Sequence, residues 1–435
     1  MISFLTLLLG LTIGPQKVEV SVSGPVAAVE LQLDGAPVAR LEHAPWSATI
    51  DLGTDLSPHE LTARALSPAG EELSRVRQWI NLPRPPAEIE ILLERDASGK
   101  ATAARLAPVS LVGPKPALLL AAFDDKPLTV REGGRVDLPA YDSGTTHLLT
   151  ATAEFSNGVL ARRDAVLGGA AAIEASAELT GVPVRVTGRP PTTAAAAGWF
   201  VKNGEPLTLV AFEHSSAQIL VVRDLTIDEA RARVGSRETR SRSLAGKPIA
   251  EAIAAGARLD REDRARFLWP VVQVSWGGDL RTELFESSHD FLLKDEALPW
   301  LLTHIEDPHP AAGSPRYADA VAVAGLQAAA SRGRRAVILV LGSQGTDGSH
   351  LSPAAARRYL ERLRVPLYVW SLTGSSGPAA AWGEQEDISN PSLLRRACSR
   401  VKDALETQWI AWLSGEHRPQ DIGLAREARG VALLP

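Results

Sequence analysis

The chain has 435 residues, 45% of them hydrophobic and 22% charged, which is the composition of an ordinary globular protein of about two to four domains. Its net charge of −5 excludes a sizeable nucleic-acid-binding surface. A single cysteine, Cys398, excludes a disulfide framework and a cysteine-based zinc site, and it reads as a small buried residue.

Residues 2–13 form an apolar run, too short to span a bilayer but of the length of a signal-peptide core. No basic residue precedes it, no small-x-small cut site follows, and Pro15 sits badly beside a cut after Gly14. A first β-strand is the alternative. The run lacks the alternation of a half-buried strand, so residues 1–14 are expected to be a signal peptide. No other apolar run is long enough to cross a membrane.

Two stretches then read as copies of one β unit: 31–38 with 48–76, and 121–128 with 136–166. In both, Asp-x-x-Pro ends a short alternating strand, at Asp34 and Asp124. In both, a later strand carries His-x-Leu-Thr-Ala, from His59 and His147, and a glycine turn follows at Gly70 or Gly158. Alternating strands broken by turn signals every ~8–12 residues predict two all-β, Ig-like sandwiches, over 15–83 and 87–168. The prolines of 82–86 form a stiff linker between them.

Residues 168–172 are a small-residue hinge, and 173–215 read as a β lead-in. From 218 strand and helix patterns alternate. Strands are expected over 219–222, 271–276, 336–341 and 367–372. Helices are expected over 228–234, 248–257, 295–305, 317–332 and 353–363, with a long amphipathic helix over 393–413 closing the series. This alternation predicts an α/β doubly wound, Rossmann-like domain over 216–435, with a mainly parallel sheet and helices on both faces.

The segment 334–374 runs apolar strand, polar loop, amphipathic helix, Val-Pro and apolar strand. In this order it resembles the last third of a von Willebrand factor A-type (VWA) domain. The lead-in, with Phe200-Val-Lys-Asn-Gly-Glu-Pro206 and Phe212-Glu213, is similar to that of exported bacterial VWFA-related proteins, and the resemblance covers roughly 175–430. The first β unit resembles bacterial Ig-like modules, which share Asp-Gly-x-x-Val, Pro-Trp and His-x-Leu-x-Ala.

The VWA resemblance implies a divalent-metal adhesion site at the carboxyl edge of the sheet, where ligands of such sheets bind. The family builds it from Asp-x-Ser-x-Ser after the first strand, a Thr of a middle loop and an Asp after the fourth strand. Here the first motif falls on Asp224-Leu-Thr226-Ile-Asp228. The middle loop falls on residues 313–320, with Pro315 at the Thr position and Ser314 beside it. Ser343 stands where the last carboxylate belongs, with Asp347 four residues on. Mg²⁺ needs about six oxygen ligands in near-octahedral order. The expectation is therefore a degenerate site with no metal and no cofactor, where Asp224 and Thr226 cap a helix.

Other constellations carry less. Leu341-Gly-Ser-Gln-Gly345 lacks the first glycine of a nucleophile elbow, and only His350 and His417 follow as possible bases. His304 and His309, with Glu306 and Asp307 between them, lie in a proline-flanked loop. No glycine pattern for nucleotides occurs. The Arg-rich segment 231–266 reads as a charged helical face, and Trp409 and Trp412 as sheet-packing residues of a closing strand. The functional expectation is a noncatalytic protein-binding or scaffolding chain of the cell envelope, secreted or periplasmic. The alternatives are an Mg²⁺-dependent adhesion module using Asp224, Thr226, Asp228 and Ser314, and a serine hydrolase at Ser343.

Overall fold

The structure, a computed structural model, describes residues 2–8, 10–83, 87–96, 100–110, 116–124, 126–142, 147–155, 160–167, 179–224, 263–277, 280–293, 298, 301–302, 305, 314–331, 333–342, 347–372 and 377–435. The chain forms two compact units. One comprises Met1–Pro83, Gly181–Leu413 and His417–Pro435, and the other Arg84–Thr180 with Ser414–Glu416.

The first sandwich has seven strands: β1 (Ile2–Phe4), β2 (Pro15–Val22), β3 (Ala28–Leu33), β4 (Ala36–Leu41), β5 (Ser47–Asp51), β6 (His59–Leu66) and β7 (Glu72–Ile80). They pair as a three-stranded sheet, β1-β2-β5, and a four-stranded sheet, β4-β3-β6-β7. Alternation turns Val18, Val20, Val29, Leu31, Leu61 and Ala63 inward, where each is almost wholly buried. The segment expected as an export core supplies β1, and Ile2 is buried against the same core.

The second unit repeats this topology. Its strands are β8 (Ala87–Arg95), β9 (Ala101–Ser110), β10 (Leu118–Phe123), β11 (Lys126–Leu128), β12 (Arg135–Asp137), β13 (His147–Glu154) and β14 (Leu160–Leu167). The sheets are β8-β9-β12 and β11-β10-β13-β14, the same order strand for strand. β7 and β8 lie in different sheets. The fourth strand of each sandwich pairs with the third, because a tight turn at Asp34-Gly35 or at Asp124 folds it straight back. Asp34 and Asp124 both take positive φ, 55° and 46°, a left-handed conformation that Asp tolerates better than most residues.

The lead-in forms β15 (Leu179–Val186), β16 (Phe200–Lys202), β17 (Glu205–Pro206) and β18 (Leu209–Glu213). The α/β sheet contains β19 (Ala217–Arg223), β20 (Arg264–Gly277), β21 (Leu280–Ser287), β22 (Phe291–Leu292), β23 (Arg334–Leu341), β24 (Leu367–Ser371) and β25 (Glu386–Asp387). Its order is β21-β20-β19-β23-β24-β25, with β22 against β20. The expected strands β19, β23 and β24 are adjacent and parallel, in the registers Ile219↔Ala336 and Val337↔Leu367. Among the described strands only β21 and β22 run antiparallel.

Three helices of this domain are described: α1 (Tyr317–Ala330), α2 (Pro353–Arg362) and α3 (Pro391–Glu406). Ile219, Val221, Ile338 and Val340 face α3, whereas Leu220, Val222, Val337 and Leu339 face α1 and α2. A sheet covered on both faces needs strands that are apolar throughout, which is what 219–222 and 336–341 supply. Helix α1 approaches α2 at Gly325, where a Cβ would collide with the Leu360 side chain.

The C-terminal stretch carried two expectations, and the strand stands where the helix does not: the helix predicted over 393–413 ends at Glu406, and the chain continues as β26 (Gln408–Ser414), the closing strand expected to contain Trp409 and Trp412. β26 does not join the parallel sheet. It pairs antiparallel with β18 of the lead-in, in the register Phe212↔Ala411. Two further C-terminal strands, β27 (Ile422–Leu424) and β28 (Val431–Leu433), pair with β16 and β15. The lead-in and the C-terminal residues thus share one core, around Val182, Val184, Phe200, Ala411 and Leu413. The helices expected over 228–234 and 248–257 lie outside the described residues. Of 295–305, Leu298, Leu301 and Leu302 are helical and buried.

The first sandwich is joined to the α/β domain through α2. Leu56, in the β5–β6 loop, is 2% exposed and belongs to the core beneath α1 and α2. Around it, Arg358 pairs with Asp55 at 2.8 Å, Arg362 donates to the Leu56 carbonyl at 2.9 Å, and the Tyr359 hydroxyl donates to the Asn81 carbonyl at 2.8 Å.

Candidate functional site

The carboxyl edge of the parallel sheet collects the ends of β19 and β23, the start of α1 and the segment 347–351. Asp224 directly follows β19. Its backbone N–H donates to the Val340 carbonyl at 3.0 Å, which extends the ladder by one residue. Its side chain is 2% exposed, and Oδ2 accepts the Gly342 N–H at 2.8 Å. The carboxylate therefore ties the ends of two neighbouring strands together.

Asp347 sits at the N-terminus of α1. The first N–H groups of a helix have no partner within it and carry its positive end, so they favour a carboxylate. Asp347 Oδ1 accepts the Tyr317 N–H at 3.0 Å and Oδ2 the Ala318 N–H at 3.3 Å. Oδ1 also accepts the Ser349 N–H at 3.0 Å and its hydroxyl. Ser349 Oγ in turn accepts from Ala318 at 2.9 Å and Asp319 at 3.2 Å. The Ala320 N–H then reaches the Arg316 carbonyl, the first turn of the helix proper.

Asp319 holds the same segment from the helix side. It accepts the N–H groups of His350 at 3.1 Å and Leu351 at 3.0 Å, and the Arg316 guanidinium at 2.8 Å. Burial opposes its ionisation, but the Leu351 and His350 amides and Arg316 outweigh that and hold its carboxyl below the usual range. His350 is exposed, and its Nδ1 lies 2.6 Å from the Arg316 guanidinium.

Tyr317, the first residue of α1, is 1% exposed. Its hydroxyl makes no hydrogen bond of regular geometry among the described residues, with the Asp224 carboxylate as a near acceptor. Burial first, then the charges of Asp224 and Asp347, push its ionisation far above the ordinary tyrosine range.

Of the five positions expected at this edge, Asp224 and Ser314 are described. Asp224 is buried there. Ser314 is exposed, with its Cβ 3.0 Å from where a side chain on Gly348 would begin, so it stands beside the Asp347 segment. Thr226, Asp228 and Ser343 lie outside the described residues, as do His304 and His309. Sequence reasoning placed Asp347 on a loop without assigning it the cap, and did not single out Tyr317 or Ser349. No local pattern signals this cap, because Asp347 follows the start of the helix it caps by 30 residues.

Whether the residues present suit the divalent cation that the VWA resemblance implies is decided by their partners. They do not suit it. Both Asp347 oxygens and Asp224 Oδ2 already accept N–H donors, and a carboxylate oxygen surrounded by donors is poorly placed to face a small hard cation. Among the described residues no three His, Cys, Asp or Glu side chains gather as a metal-binding group. Cys398 lies on the face of α3 that packs into the sheet core, and burial followed by Glu386 pushes its thiol up to about 12, so it is not an available thiolate ligand.

Fold and site together define a β-sandwich-rich, multidomain chain with one parallel α/β domain whose ligand edge is occupied by the chain's own polar groups. No family model matches the sequence, and no curated protein matches it. Among solved structures it is similar to a von Willebrand factor type A protein from Catenulispora acidiphila, at 10% identity over 68% of this chain and 52% of that one, with a TM-score of 0.26. It is also similar to fibronectin(III)-like modules of Clostridium thermocellum CbhA, at 14% identity over 18% of this chain and 93% of that one, with a TM-score of 0.17. A third likeness is to the central fibronectin-III array of RIM-binding protein, at 9% identity over 44% and 81% of the two chains, with a TM-score of 0.24. Among the described residues no helix is long and apolar enough to cross a membrane.

Proposed function

We propose that this chain is a noncatalytic protein-binding or scaffolding component of the cell envelope, secreted or periplasmic. Its plan would be two Ig-like sandwiches over 15–83 and 87–168, a β lead-in over 173–215, and a doubly wound VWA-like domain whose metal-ion-dependent adhesion site is degenerate. The observation that carries this reading is the occupation of the helix N-terminus by Asp347, because the edge that would recruit a cation is satisfied internally. The strand-for-strand repetition of the sandwiches supports it from another direction, since rigid frames bearing variable loops are a common basis for protein recognition. Binding partners would be other proteins, with neither nucleic acid nor a metal cofactor involved.

The test is capture of envelope proteins on the immobilised full chain, in parallel with and without EDTA. The expected result is the same set of partners in both arms. Loss of every partner on chelation would favour the metal-dependent adhesion reading instead.

A further inference from the structure

We propose that residues 2–14, the apolar segment with the length of an export core, stay in the mature chain as the first strand and edge strap of the first sandwich. That sandwich then begins at Ile2 and not at Pro15. The proposal is independent of the binding role argued above. Two observations carry it, the duplication of the sandwich and the bonding of two buried amides.

The two sandwiches match strand for strand, so the first strand of each has a counterpart. In the second unit that strand is β8, which pairs with β9 and lies against β13 and β14. In the first it is β1, which pairs with β2 in the register Ile2↔Val22 and lies against β6 and β7. A cut after Gly14 would remove from one copy the strand that the other keeps. Ile2 is buried, and Phe4 and Leu8 pack on the same core. Beyond β1 the segment continues along the sandwich edge. The Leu5 and Thr6 N–H groups both donate to the Glu19 carbonyl, and Thr6 Oγ1 accepts the Glu19 N–H at 3.0 Å. At the far end the Gly14 N–H donates to the Gly53 carbonyl at 2.7 Å, and the Gly14 carbonyl accepts the Leu52 N–H at 3.0 Å.

The inner side of the strap is matched by β7. Val76, Gln78 and Ile80 share the inward side of that strand, and Gln78 is 2% exposed. An amide in an inward row is costly unless both of its ends are bonded. Gln78 Oε1 accepts the Leu8 N–H at 3.2 Å, and Nε2 donates to the Thr6 carbonyl at 3.1 Å. The registers His59↔Ile80 and His147↔Leu167 put Ala165 at the equivalent place in the second sandwich, so the amide belongs to the copy that has the strap. Asn81, also 2% exposed, holds the next stretch. Its Oδ1 accepts the Thr12 N–H at 2.7 Å, and its Nδ2 donates to the Thr12 and Ser57 carbonyls, each at 2.8 Å. The Asn81 carbonyl takes the Tyr359 hydroxyl of α2, and Leu11 packs into the core beneath α1 and α2. Two buried amides matched to the backbone of residues 6–12 make that segment part of the folded chain, which a discarded leader is not.

The experiment is intact-mass analysis and N-terminal sequencing of the chain recovered from its native cells, followed by hydrogen exchange on the same material. The mature N-terminus is expected at or before Phe4. The Leu5, Leu8 and Thr12 N–H groups should exchange about 100-fold more slowly than in an unstructured peptide. Asn81 has a φ of 57°, so Asn81→Gly keeps the left-handed backbone and removes only the amide. That variant should speed exchange at Thr12 about tenfold or more and leave residues 336–341 of β23 unchanged. Gln78→Ala should act in the same way at Leu8, and it serves if the glycine variant does not fold. A mature chain that begins beyond Phe4 overturns the proposal. So does a chain that keeps the segment but exchanges it at the unstructured rate. A folded Asn81→Gly or Gln78→Ala chain with native exchange at Thr12 or Leu8 overturns it too.

Discussion

In the first sandwich His59 Nδ1 lies 2.8 Å from Asp34 Oδ2, and in the second His147 Nδ1 lies 2.6 Å from Asp124 Oδ2. Each aspartate occupies the turn after the third strand of its sandwich and each histidine opens the sixth, so the pair staples a hairpin to the neighbouring strand. In the first sandwich the C-terminal segment adds a third member. Arg418 forms an ion pair with Asp34 while donating to Asp421 at 2.7 Å.

Asp34→Asn tests this three-residue clasp. Burial opposes ionisation of Asp34, but His59, the Glu60 amide and Arg418 together hold its carboxyl below the ordinary aspartate value of 3.8. A lowered folded pKa contributes stability above the unfolded pKa and loses it as pH falls through the folded one. The substitution should cost about 1–2 kcal/mol at neutral pH. In denaturant titrations the gap between native and variant chains should narrow steadily as pH falls below the unfolded value of 3.8. A gap that stays constant with pH would contradict the ionic account.

Leu56→Ala should destabilise the larger unit by about 2–5 kcal/mol, because a side chain 2% exposed leaves a cavity beneath α1 and α2. Asp55→Ala, one residue away, should cost less than about 1 kcal/mol, since its pair with Arg358 is half exposed. Differential scanning calorimetry of the two variants separates packing from surface charge. Equal effects would show that the loop does not anchor the sandwich through Leu56.

Asp263→Ala should be among the most damaging single changes, at about 3–5 kcal/mol. Asp263 Oδ1 accepts the Ala217 N–H at 2.7 Å and the buried Arg334 guanidinium at 3.0 Å, where β19 and β23 begin. Removing it takes a carboxylate away from a buried guanidinium at the base of the sheet, which keeps the Ser215 and Leu405 carbonyls among its acceptors. A guanidinium chloride midpoint within error of the native chain would refute this role.

The Cys398 thiol, pushed up to about 12 mainly by burial, should resist a thiol reagent at neutral pH and react only on unfolding. Ellman's reagent with and without denaturant measures this directly. Rapid reaction of the folded chain would place the thiol outside the core.

Much of the fold was legible wherever a residue's environment depends on near neighbours. The unbroken apolar character of 336–341 marks a strand buried on both faces, and the paired Asp-x-x-Pro and His-x-Leu-Thr-Ala motifs mark the duplication. Leu393 to Glu406 has helical period, and Gln408–Ser414 was read both as the end of that helix and, from Trp409 and Trp412, as a closing strand; it is a strand. What no local pattern gave is its place between Leu209–Glu213 and β15, both far away in sequence. The same distance hid the site's closing elements. Nothing local shows that Asp347 returns to cap a helix that begins at Tyr317, or that Leu56 of the first sandwich reaches the α/β core.

The most direct test of the account is isothermal titration of Mg²⁺ and Mn²⁺ into the full native chain, with Asp224→Ala as control. The account predicts no binding heat at physiological concentrations of either ion, because the carboxylates at the sheet edge are already satisfied by N–H donors. Submillimolar binding that disappears in Asp224→Ala would contradict it and return this edge to the class of working metal-dependent adhesion sites.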